Sequence, residues 1–194
     1  SNCSALRLRL YSSMAATLRS FAARYAKSYR QRPFLISFAT GFVQGTLADE
    51  LIQAHIGQRS LVERSQLQNA KFAAWSGAHS CLQHYVFNIT VERLFGSAPS
   101  FIVALQKSLA VTLVLRPFVS MPLYFACKPA IQGDGWDPRD GLREYRGEFR
   151  SILPGSVKLW IPAHVITFLC VPKEFRVAWT GVVSLAWLGA VGLR

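Results

Sequence analysis

Gly41, Gly45, Asp49 and Gln53 recur every four residues along the apolar stretch 33–56. On a helix, positions four apart lie on one face, so these small and polar side chains form a single stripe. Phe34, Leu35, Ile36, Phe38, Phe42, Val43, Leu47, Leu51 and Ile52 cover most of the remaining surface. A water-soluble amphipathic helix has the opposite balance, with a narrow apolar stripe and a broad polar face. Small residues let a second helix approach closely, and in lipid they mark helix–helix interfaces. The stretch therefore reads as one wall of a membrane helix bundle, with Gly41 and Gly45, joined by Gly77 further on, as packing points and a carboxylate turned inward.

Charge distribution agrees with that reading. Only 16% of the 194 residues are charged, against roughly 25% for soluble domains. The net charge of +12 sits in caps and loops between apolar runs, which argues against nucleic acid as a partner. No acid precedes Asp49, whereas Arg7, Arg9, Arg19, Arg24, Lys27, Arg30 and Arg32 all do. An Arg- and Ser-rich, acid-free start resembles a mitochondrial import segment, and Arg9-Leu10-Tyr11-Ser12-Ser13 resembles a matrix-protease cleavage site. Starting at Ser1, the chain reads as a processed product or a fragment. A basic juxtamembrane helix bound to anionic headgroups is the other reading of the segment. Residues 1–32 are thus expected to form a basic amphipathic segment and residues 33–194 a membrane helix-bundle domain. Cys3, Cys81, Cys127 and Cys170 show no paired spacing and read as small apolar fillers.

A helix needs about 20 apolar residues to cross roughly 30 Å of hydrocarbon. Segments 34–56, 70–91, 101–127, 152–172 and 177–193 qualify. Pro154 and Pro162 interrupt the fourth, so it and the fifth read as two spans, or as one span and a re-entrant piece. The expected fold is an all-α integral membrane protein, a bundle of four to five transmembrane helices with amphipathic surface helices. One surface helix is expected over 14–31, where Leu18, Phe21, Tyr25 and Tyr29 recur at helical spacing. Another is expected late in the charged loop 128–151, where Leu142, Tyr145 and Phe149 do so.

Arg116 falls near the middle of its span, where Arg costs about 2.5–3.5 kcal/mol on insertion scales. Either it pairs with Asp49, or Pro117 kinks the helix and Arg116 snorkels from a shifted register. Gly77, Cys81, His84 and Asn88 share a face of the second span. With Asp49, Gln53 and Arg116, His84 could line a polar path, or these residues could simply pack the helices. No spacing of His, Cys or acidic residues suggests a metal, and no phosphate loop or nucleophile motif is present, so no cofactor or enzymatic activity is expected.

The closing segment 160–176 carries Trp160, Pro162, Phe168, Val171, Pro172 and Arg176, with Trp187 a dozen residues on. This resembles the W-x-P…F-x-x-V-P-x-x-x-R signature of the Mpv-17 and 22-kDa peroxisomal membrane protein family. Pro33 with Asp49 and Gln53, His84 with the Glu92–Gly96 run, and Lys107 with Pro117 resemble further family motifs. Several polar positions differ: Ala48 stands for a Gly, Ser80-Cys81 for Gly-Pro, Val111-Thr112 for Asp-Gln, and His164 and Thr167 for Gln and Asn. The resemblance implies a small non-enzymatic protein of the mitochondrial inner membrane or of peroxisomes, from a family of weakly selective pores or membrane-homeostasis factors. The expected function is an accessory subunit of a larger inner-membrane complex of the respiratory-chain or ATP-synthase kind. The alternative is a weakly selective small-solute channel. The expected partners are the bilayer, with anionic lipids such as cardiolipin, and the proteins of that complex.

Overall fold

The computed structural model describes residues 2–56, 65–133 and 137–192, with side chains over 13–54, 65–133 and 137–186. All regular structure among these residues is helical. Helix α1 (Asn2–Gln31) ends because Pro33 disfavours helical backbone at Arg32, which sits at φ −141°, ψ 67°. Pro33 then opens α2 (Pro33–Leu51), which runs on through a wide π turn, Ile52–Ile56. Helix α3 (Gln66–Tyr85) starts at Ser65, whose Oγ accepts from the Gln68 amide at 3.2 Å, and passes through Val86–Thr90 into α4 (Val91–Phe95).

The next rod, Phe101–Gln132, joins α5 (Phe101–Leu109) to α6 (Met121–Gln132) through a π segment, Ala110–Ser120. Pro117 lies inside that segment, and the Met121 amide reaches back to Arg116 O instead of Pro117 O. Tyr145 Oη donates to the freed Pro117 carbonyl at 2.6 Å. A wider turn thus runs through the proline, and a side chain from another helix satisfies the carbonyl that this turn leaves over. Helix α7 (Pro138–Cys170) is capped by Asp137, and α8 (Arg176–Gly192) follows a 3-10 turn, Lys173–Phe175.

Helices α2 and α3 pack as one antiparallel pair, the 101–132 rod and α7 as another, and α8 lies against both α2 and α7. The interior combines an apolar cluster, Phe87, Val91, Ala104, Val111 and Phe168, with many small and polar residues. Of the ten largest fully buried side chains, six are Ser or Thr, and none of the described leucines is buried. Leu35, Val43, Leu47 and Phe118 are instead 53–72% exposed. A core assembled in water would be led by Leu, Ile and Phe. A partly polar interior beneath exposed leucines and phenylalanines suits helices surrounded by lipid.

Among the described residues two helices, Phe101–Gln132 and Pro138–Cys170, are long and apolar enough to cross a membrane. That supports two of the four to five expected spans. The expected charged loop 128–151 is largely helix: α6 runs to Gln132 and α7 starts at Pro138, so the expected surface helix is the first part of α7. Nor do Pro154 and Pro162 break α7. Each proline removes one hydrogen bond, and the other turns of a 33-residue helix keep it continuous.

Candidate functional site

Close packing fixes where the polar groups meet. A Cβ on Gly41 would fall 2.1 Å from Ser80 Oγ, one on Gly45 2.5 Å from Ser76, and one on Gly77 2.8 Å from the Phe38 ring. The small stripes of α2 and α3 therefore face each other, as packing requires. The expected polar path is not assembled. Asp49 accepts from Gln53 Nε2 at 2.5 Å and Gln68 Nε2 at 3.5 Å, and Gln53 Oε1 accepts from the Ser65 amide at 2.9 Å. Asp49 and Gln53 thus organise the entry to α3. His84 lies toward the other end of α3, where the Tyr29 hydroxyl meets its Nδ1 at 2.6 Å. No ion pair joins Asp49 to Arg116 among the described residues. The expected pairing fails because Asp49 is satisfied by amide donors of its own neighbourhood.

Two polar centres emerge instead. The first surrounds Glu92. Lys107 Nζ lies 3.0 Å and an Arg176 guanidinium nitrogen 2.7 Å from Glu92 Oε1, while Lys173 Nζ is 3.3 Å from Oε2. Ser97 Oγ donates to Oε2 at 2.6 Å, and it can turn back because Gly96 adopts φ +80°. Glu92, Lys107 and Arg176 are all buried. Burial by itself would push the Glu92 carboxyl up, but hydrogen bonds from Ser97, Arg176 and Lys107 outweigh it and hold the group down at about 2.

Arg176 also reaches Phe87 O and Asn88 Oδ1, each at 3.3 Å. Asn88 Nδ2 donates to the Tyr29 hydroxyl at 2.9 Å and to Lys173 O at 3.0 Å. The Val-Pro step explains the positioning: Pro172 forces Val171 into extended backbone, ends α7 and folds the 3-10 turn that delivers Lys173 and Arg176. Of the signature residues, Phe168 packs beneath Lys107 and Arg176, with ring-centroid distances of 5.8 and 5.3 Å. Trp160 and Pro162 lie on α7; the Trp187 side chain lies outside the described residues. Sequence reasoning missed this centre, although Glu92 is the single acid between Glu63 and Asp134 and so the natural partner for any buried cation nearby.

The second centre is mid-bundle. Arg116 Nε donates to Ser156 Oγ at 3.1 Å, and its guanidinium lies 4.1 Å from the Trp160 ring centroid. Thr112 Oγ1 and His164 Nδ1 are 3.0 Å apart. These two side chains satisfy each other. A cavity of about 30 Å³ borders Arg116, His79, Gln83 and His164. A second, of about 100 Å³, lies between α2, α3 and α8, and His79 and Gln83 border both. Neither centre presents an activated nucleophile.

The profile of the Mpv17 / PMP22 family matches residues 130–188. A curated relative, PXMP2/4 family protein 3 of Dictyostelium discoideum, is 26% identical over 168 residues, covering 84% of each chain. No solved structure matches.

Proposed function

We propose that the chain is a divergent member of the Mpv17 / PMP22 family, to which it is similar, and a non-enzymatic integral membrane subunit, packed into a larger assembly of the mitochondrial inner membrane. One observation supports this most: Glu92, Lys107 and Arg176 are tied to one another inside the bundle, while bulky apolar side chains point outward from nearly every helix. Such a bundle offers its neighbours lipid-compatible faces and keeps the Glu92 ion cluster inside. On this reading α2, α3 and α8 cross the bilayer along with the two longer rods. Helix α1 adds a second contact surface, with Met14, Leu18 and Phe21 exposed at 56%, 61% and 70% on the side whose later turns dock through Tyr25 and Tyr29. Arg19, Arg24 and Lys27 are exposed on the rest of the helix surface, a combination suited to an anionic lipid surface such as one rich in cardiolipin.

The acid-free start favours mitochondria; a peroxisomal membrane is the alternative location. Mild detergent extraction and a native gel test the role. Co-migration with a respiratory or ATP-synthase complex is expected, and recovery only as an isolated chain in a peroxisomal fraction would overturn it. A small-solute channel is the second reading, favoured by the two cavities that share His79 and Gln83 as a wall. Conductance of the purified chain in planar bilayers would select it.

A further inference from the structure

We propose that the cavity at Arg116 binds one small monovalent inorganic anion, of which chloride is the probe. Arg116 carries a charge with no counter-ion among the described residues. Among the described residues no carboxylate pairs with Arg116, and of its nitrogens only Nε has a hydrogen-bond partner, Ser156 Oγ. A guanidinium carries five N–H donors and no acceptor, so most of its donor capacity is unused. The Trp160 ring beneath it relieves part of the desolvation through its negative face, yet the same indole has a buried N–H with no acceptor. The site is rich in donors and short of acceptors.

The neighbouring space fits the missing group. The cavity of about 30 Å³ is walled by Arg116, His79, His164, Gln83 and Ser120 together with apolar side chains. A water needs roughly 10–15 Å³ of such space, so the cavity holds an atom-sized anion with at most one water beside it. Histidine, glutamine and serine side chains can each turn a donor toward it. His164 Nδ1 is engaged with Thr112, which leaves its Nε2 as the remaining ring nitrogen. A bound anion would neutralise Arg116, a role Glu92 plays for Lys107 and Arg176.

The inference stands apart from both functional readings, because it is tested at equilibrium and not by conductance or co-migration. The full chain in detergent is melted in chloride and in gluconate at equal ionic strength. Chloride is expected to raise the melting temperature in a saturable way, bromide to substitute and sulfate to fail. Arg116→Gln is expected to weaken the apparent chloride affinity at least tenfold, whereas Arg139→Gln, which removes an exposed charge, should leave it unchanged. Ser120→Leu fills the cavity from another part of its wall without removing the guanidinium, and it should also abolish the chloride effect. Identical melting of the wild type in chloride and gluconate would overturn the proposal. So would an undiminished chloride response in either cavity variant. The wild-type comparison decides the matter even if Arg116→Gln does not fold.

Discussion

At the scale of single residues, Glu92 organises one end of the molecule. It faces three cations, two of them buried, and removing it would leave Lys107 and Arg176 desolvated without a counter-charge. Breaking a buried pair by deleting one partner costs about 3–5 kcal/mol. Glu92→Ala is therefore expected to lower stability by that order in detergent unfolding, well beyond the effect of Arg139→Ala on the surface. The pH dependence has a fixed sign. Because the folded carboxyl titrates at about 2, below the ordinary range near 4.5, its contribution is fully present above that range and is lost as pH falls toward 2. Stability of the wild type should fall between about pH 5 and pH 2, and Glu92→Gln should flatten that part of the curve in a melting series.

Among elements, close approach sets the limits. A Cβ on Gly141 would lie 1.8 Å from the Phe125 carbonyl oxygen, where only backbone movement can relieve the clash, whereas one on Gly147, in the same helix, meets nothing within 4 Å. Gly141→Ala should cost about 1–3 kcal/mol by prising α6 from α7. Gly147→Ala should be neutral or stabilise by up to about 1 kcal/mol. Paired thermal melts separate the two. For α1, Leu18→Ser with Phe21→Ser should leave the melting temperature unchanged, because both side chains are exposed. Co-sedimentation with anionic vesicles should drop. The elements themselves were largely legible in the sequence: apolar runs and the Gly41–Gln53 stripe mark the helices and the α2–α3 contact. The length of α7 was not, because proline and charge read locally as breaks, whereas a long helix tolerates both once its neighbours pack against it. Nor was the partner of each buried charge, since Glu92 meets Lys107, Lys173 and Arg176 only through tertiary contacts between segments far apart in sequence.

For the whole molecule, the distribution of side chains makes a claim about its solvent. Spin labels at Val43 and Phe118, 57% and 72% exposed, should be accessible to oxygen and shielded from a water-soluble nickel relaxant, with the reverse at Arg139. Water-like values at the first two positions would refute a lipid-embedded bundle. The charge cluster at Glu92 has a consequence for biogenesis as well. A ribosome releases Glu92 and Lys107 long before Lys173 and Arg176 exist, so a nascent product stopped at Cys170 carries its carboxylate with one of three counter-ions. Pulse-chase labelling should find that truncated product degraded faster than the full chain, which would make the last helix a checkpoint that surveillance proteases can read.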